Sequence, residues 1–312
     1  MSRYSAQAPA SVVMIRPHWF TPNPATVADN SFQAPADGCS PRAVALAAHD
    51  EVTKAAERLE GAGVTVHLFE DEGDQTPDSV FPNNWFSTHS GGHVAIYPMY
   101  SPSRRPERRP DIIEMLKRAY RVQDVIDYSG LEQDGIYLEG TGAMVLDHIV
   151  RVAYVTRSRR ADEVALERFC THFNFEPMMF SAADRQGQPI YHTNVLMCIG
   201  THFAMAGLDA IPDAGRRAEI AARLREPGRD VIALDMDQIE SFAGNAIELQ
   251  GREGAVLALS ERALASLRPD QIVVIERHAT ILPLAVPTIE LAGGSVRCML
   301  AGVHLARRAQ MS

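Results

Sequence analysis

The chain has 312 residues, 46% of them hydrophobic and 22% charged, an ordinary globular composition that excludes disorder, collagen and coiled coil for the chain as a whole. Its 30 lysines and arginines against 39 aspartates and glutamates leave a net charge of −9, so neither nucleic acid nor an anionic membrane is expected as a partner. The four cysteines (Cys39, Cys170, Cys198 and Cys298) form no CxxC and stand at no zinc-type spacing to histidine, which fits a reducing cytoplasmic setting. No segment approaches 18 apolar residues, and Val12–Ile15 is too short for the core of a signal peptide.

In chain order, Val12–Ile15 reads as a strand, Arg42–Leu59 as a helix stopped by Gly61 and Gly63, and Val64–Phe69 as a second strand. A weak internal repeat follows. Turns with Asn84, Gly142, Asn194, Asn245 and Cys298 as pivots are spaced by 58, 52, 51 and 53 residues, and each carries a short apolar run that reads as a buried strand. Second strands are expected at Val94–Tyr97, Ile149–Val155, Phe203–Ala206 and Ala255–Leu259. Helices are expected at Asp111–Tyr120, Ala161–Phe173, Gly215–Leu224 and Glu261–Leu267. Closing strands are expected at Val125–Tyr128, Phe175–Phe180, Val231–Leu234 and Ile272–Ile275. The last unit lacks a second strand and helix, which Val12–Ile15 and the first helix can supply. That closes a ring of five ββαβ units; an open α/β sheet with fortuitous spacing is the alternative. No linker divides the chain, and residues 1–312 read as a single catalytic domain.

In a ring every pivot turn faces the axis. The residues gathered there would be Asp78, Glu139, His192, Asn194, Asn245 and Cys298, which supply the thiol, imidazole and carboxylate of a nucleophilic cysteine site. Singly, each has an ordinary structural reading: His192 as a satisfied core histidine, Glu139 as a cap or ion pair, Asp78 as a turn residue. Cys170 and Cys198 read as inert core thiols. His18, His67, His89, His93 and His278 read as surface or loop residues. No GxGxxG, P-loop or HExxH pattern occurs, so no cofactor or metal is expected.

Four ordered motifs, Pro77-Asp78-Ser79-Val80-Phe81, Glu139-Gly140-x-Gly142, Tyr191-His192-Thr193-Asn194 and Gly293-Gly294-Ser295-Val296-Arg297-Cys298-Met299, resemble those of the guanidine-modifying pentein superfamily. That group includes arginine and agmatine deiminases, dimethylarginine hydrolases and amidinotransferases. The resemblance implies a five-bladed α/β propeller acting on a small amino-acid substrate. It implies Cys298 as nucleophile, His192 as acid/base, Glu139 as its partner and Asp78 as an anchor for substrate N–H groups. It further points to Arg104, in Pro102-Ser103-Arg104-Arg105, and Arg157, in Val155-Thr156-Arg157-Ser158, as binders of the substrate carboxylate.

The sequence departs from the deiminase and dimethylarginine-hydrolase pattern where amides replace carboxylates, at Asn194 and at Asn83-Asn84. A guanidinium is usually held by carboxylates, whereas an amide both donates and accepts and suits a neutral ureido group. This, with Ile15-Arg16-Pro17 and Asn30-Ser31-Phe32-Gln33, also resembles the citrulline-hydrolase branch of the superfamily. The expected activity is therefore hydrolysis of citrulline to ornithine, ammonia and carbon dioxide. An arginine deiminase, a dimethylarginine hydrolase, an amidinotransferase or a non-catalytic binding propeller are the alternatives. A homo-oligomer is compatible with the sequence, and Pro22–Gln33 is a plausible lid.

Overall fold

The computed structural model describes residues 6–36 and 38–309. Strand β1 (Ser11–Pro17) pairs in parallel with β2 (Thr65–Asp71), and the helix Pro41–Gly61 connects them. Ser40 caps that helix through the amide of Ala43, and Val44, Ala48, Val52, Ala55 and Leu59 form its buried stripe against the strands. Four further sheets follow the same plan: an antiparallel pair, then a parallel third strand. They are β3 (Phe86–His89), β4 (His93–Ile96) and β5 (Asp124–Asp127); β6 (Met144–Asp147), β7 (Val152–Thr156) and β8 (Glu176–Phe180); β9 (Met197–Ile199), β10 (Phe203–Ala206) and β11 (Asp230–Ala233); and β12 (Ile247–Gln250), β13 (Ala255–Ser260) and β14 (Thr280–Leu284). A short strand, β15 (Ala301–Gly302), pairs antiparallel with β1, Val13 facing Ala301. The first blade is thus β15-β1-β2, completed by segments remote in sequence, as the repeat spacing predicts. The five blades make an α/β propeller.

Each crossover helix packs its apolar stripe on its own sheet. In Glu163–Phe173 the stripe is Ala165, Leu166, Phe169, Cys170 and Phe173, started by Asp162 as cap and ended at the left-handed Asn174. No helix among the described residues is long and apolar enough to cross a membrane.

Two expectations need correction. Ile272–Ile275 is part of a helix, Pro269–Glu276, and the closing strand is Thr280–Leu284. A four-residue apolar run does not distinguish strand from helix. Pro269 at the first helical turn decides for helix, and Pro283 is tolerated because β14 is an edge strand, paired only to β13. The pivots themselves stand where the repeat places them. They occupy tight turns, helical at Pro82–Asn84, Gly140–Ala143, Thr193–Leu196 and Val296–Met299, with the strand starting one or two residues on. His89, expected at the surface, is buried on β3 against Phe173, with ring centroids 4.2 Å apart.

Neighbouring blades are tied by a buried ion pair. Arg229 grips the Asp147 carboxylate at the end of β6 with both terminal nitrogens, and its Nε donates to the Gly200 carbonyl at 2.8 Å. Both side chains are fully buried. Asp147→Asn leaves the guanidinium uncompensated and is expected to destabilise the fold by about 3–5 kcal/mol. A urea denaturation midpoint equal to that of the wild type would contradict this.

Candidate active site

The pivot turns converge where the sequence places them. Cys298 is buried in the turn Val296–Met299, and its Sγ accepts from the side-chain amides of Asn194 and Asn245, both at 3.2 Å. Asn245 also positions the turn itself: its Oδ1 accepts from the backbone N–H groups of Ser295 (3.1 Å) and Cys298 (3.3 Å), and its Nδ2 reaches the Asn194 carbonyl at 3.0 Å. The Oδ1 of Asn194 is buried without a hydrogen-bond partner.

His192 and Glu139 form a buried pair, Nε2 to Oε2 at 2.9 Å. Burial pushes the imidazole down to about 4, against the pull of Glu139. Burial alone would push the Glu139 carboxyl up, but Arg160, His192 and Arg104 together hold it at about 2. The pair is therefore neutral imidazole beside carboxylate near neutral pH. Glu139 also accepts the backbone N–H of Tyr100 at 3.0 Å.

Arg104 lies beneath this pair, gripping Glu107 with Nε at 2.9 Å and Nη2 at 2.8 Å, with Asp78 at 3.6 Å and Glu139 at 3.9 Å. With the Asn84 amide turned so that its oxygen meets Arg104 at 2.8 and 3.2 Å, its nitrogen donates to Asn83 Oδ1 at 3.1 Å. Asn83 and Asn84 are thus both buried at the site, with Asn84 in the cavity wall and Asn83 behind it.

Arg157 does not reach the site. It is half exposed and paired with Glu163 at 3.1 Å. Its backbone N–H bonds Phe180 at the end of the sheet, and the chain turns inward only afterwards. Arg160 stands there instead, 2% exposed, 3.5 Å from Glu139, with Nε and Nη2 on Asp29 at 3.0 and 2.7 Å and its guanidinium over the Tyr191 ring. Sequence reasoning missed it because Arg157, Arg159 and Arg160 cluster on one short loop and spacing does not separate them.

The segment expected as a lid covers the cavity. Asn23 donates to Asp78 Oδ2 at 2.8 Å, Asn30 donates to the Ala292 carbonyl at 3.2 Å, and Asp29 holds Arg160. The cavity between Cys298, His192, Asp78, Asn84, Arg104 and Arg160 is only about 10 Å³, room for a single water. An amino acid enters only when this segment moves.

Blades and site together define a pentein of the guanidino-modifying class. The chain belongs to the dimethylarginine hydrolase family: the family described as N,N dimethylarginine dimethylhydrolase, eukaryotic, matches residues 16–305. No curated protein matches it significantly. Among solved structures it is similar to the N-terminal domain of ArgZ, an arginine dihydrolase from the ornithine–ammonia cycle in Cyanobacteria, bound to substrate. The identity is 17%, covering 94% of this chain and 97% of that one, with a TM-score of 0.73. It is also similar to AgrE in complex with L-arginine, at 16% identity over 96% of this chain and 41% of that one, TM-score 0.74. A third is a dimethylarginine dimethylaminohydrolase adduct with S-methyl-L-thiocitrulline, at 14% identity over 96% and 99% of the two chains, TM-score 0.62. At these identities the likeness to solved structures concerns the fold.

Gly142 is what lets the acid/base pair sit so close to the Asn84 turn. A Cβ there would stand 2.1 Å from the end of the Asn84 side-chain amide and 2.8 Å from His192 Nδ1. Gly142→Ala must displace both side chains, and misplacement of about an ångström costs on the order of 10²-fold in rate. The variant is expected to keep its circular dichroism and lose turnover on that scale; full turnover would show that His192 is not held by this contact.

Proposed function

We infer that the protein, acting as one catalytic domain over residues 1–312, hydrolyses the ureido group of citrulline, releasing ornithine, ammonia and carbon dioxide. The observation that carries this reading is the pair of neutral amides, Asn194 and Asn245, on the Cys298 sulfur. Attack on a ureido carbon turns its carbonyl oxygen into an oxyanion, which needs N–H donors beside the nucleophile. Attack on a guanidinium creates no oxyanion and favours carboxylates around the cation. The unpartnered Asn194 oxygen suits a ureido N–H.

In this mechanism Cys298 attacks the ureido carbon as a thiolate, its proton passing to the neutral His192. Glu139, ionised, stabilises the imidazolium that results. The C–N bond to the ornithine nitrogen breaks as His192 returns the proton to it, leaving a carbamoyl thioester. A water activated by His192 attacks that carbon, the C–S bond breaks, and carbamate leaves and decays to ammonia and carbon dioxide. Asp78 accepts the substrate N–H groups when Asn23 withdraws with the lid. Arg160, freed from Asp29 by the same movement, takes the α-carboxylate. Arg104, already committed to Glu107 and Asn84, aligns Asp78 and Asn84. All four cysteines are free, and a thiol nucleophile suits the reducing cytoplasm.

A second reading is hydrolysis of arginine or a methylarginine at the same centre. The family match favours it, as do the four carboxylates (Asp29, Asp78, Glu107 and Glu139) set against two arginines. An arginine dihydrolase would perform both steps. Incubation with citrulline, arginine, methylated arginines and agmatine, with assays of ornithine, citrulline and ammonia, separates these readings. Citrulline alone is expected to yield ornithine; robust arginine hydrolysis with none of citrulline would overturn the first reading.

Cys298→Ser is expected to abolish turnover while the fold persists, since a hydroxyl is far less acidic than a thiol and a much poorer nucleophile beside so weakly basic a histidine. Near-normal turnover would rule out the covalent route. Asn194→Asp puts a carboxylate beside the sulfur and the oxyanion. Exchange of one buried charge-assisted bond costs ~1.5–3 kcal/mol, so citrulline turnover should fall by about 10- to 150-fold. An unchanged rate would remove the amide from the mechanism.

A further inference from the structure

Away from the axis, three side chains from three elements converge at the rim of the first blade. His18 directly follows β1, His49 lies on the helix Pro41–Gly61, and Glu70 is near the end of β2. Their candidate ligand atoms all lie within 4.8 Å of one another. His18 Nε2 is 2.9 Å from Glu70 Oε2, and the His18 and His49 rings meet edge to face with centroids 5.1 Å apart.

We propose that His18, His49 and Glu70 form a binding site for a divalent transition metal of the zinc type. Two imidazoles and a carboxylate are the donor set such ions prefer over magnesium or calcium. Zinc bonds nitrogen and carboxylate oxygen at about 2.0–2.2 Å, so tetrahedral ligands sit roughly 3.5 Å apart. All three side chains are at least partly open to solvent and reach that spacing by small rotations. Solvent access leaves the fourth position to water. Arg16 Nε donates to both Glu70 oxygens at 3.1 Å, its Nη2 also grips Oε1, and its Nη1 is braced by Thr53 at 3.0 Å. It serves as the outer partner that orients Glu70 while Oε2 faces His18. Its positive charge offsets part of the attraction for the ion.

The position matters to the active site. His18 leads into the covering segment that carries Asn23, and Glu70 leads into the loop that carries Asp78. A metal here ties the root of both to the first helix.

Isothermal titration of the chelator-stripped full chain with zinc chloride tests the proposal. A background carrying both Cys39→Ser and Cys298→Ser removes the exposed thiol and the thiol of the candidate active site, both strong zinc ligands in their own right. One zinc is expected to bind, with a rise in melting temperature. His49→Ala and Glu70→Gln, each added to that background, should each weaken binding at least ~10-fold and abolish the rise. His278→Ala, which removes an exposed histidine–aspartate pair elsewhere, should change neither. Loss of all zinc binding in the Cys39→Ser, Cys298→Ser background alone, or undiminished binding in both His49→Ala and Glu70→Gln, would overturn the proposal.

Discussion

A single buried carboxylate, Glu139, joins the buried histidine of the site to its two buried arginines. One oxygen meets His192; the same side chain lies within salt-bridge reach of Arg160 and Arg104 and accepts the Tyr100 amide. Isolated in the interior it would cost several kcal/mol; two guanidinium groups and a backbone N–H more than offset that. The result is an anion held ionised beside an imidazole that burial keeps neutral. This is the resting state that a proton-accepting histidine requires.

The arginines extend this arrangement outward. Arg104 links Glu139 to Glu107, close by on the segment after β4, and to Asp78 and Asn84 on the segment between β2 and β3. Arg160 links it to Asp29 on the covering segment. The covering segment, Asp78 and the His192–Glu139 pair are therefore electrostatically one network. Movement of Asp29 changes the charge balance felt by His192 without any displacement of the histidine. The apolar blades around the network exclude water and keep these interactions strong.

The architecture was largely legible because its repeat recurs at a nearly constant spacing. Even the blade completed by β1 and β15 follows from counting strands. The errors arose where local rules compete. Ile272–Ile275 is apolar enough for a strand, but Pro269 nucleates a helix over it, and Pro283 disguises the true strand. The convergence of Cys298, His192, Glu139, Asp78 and Asn194 was legible as ordered motifs. The choice of Arg160 over Arg157 was not, because it depends on which residue of one loop turns inward. Asn245, read as a pivot facing the axis, proves to hold the turn of Cys298 by accepting two backbone N–H groups and to tie it to the Asn194 carbonyl with a third hydrogen bond. Asn23 gives no local pattern, and the motif that begins at Asn30 does not reveal its contact, since the partners of both, Asp78 and Ala292, lie far along the chain.

The pairing of β1 with β15 sets the timing of assembly. Val13 emerges early in synthesis and its partner Ala301 near the end. The first blade therefore stays unfinished until almost the whole chain has left the ribosome, and such long-range closure is intrinsically late in folding. The turn bearing Cys298 lies immediately before β15. A nascent or truncated chain can form the middle blades but cannot hold a sulfur between two amides. The amide cradle around this thiol is thus a product of the closed first blade rather than of the local turn.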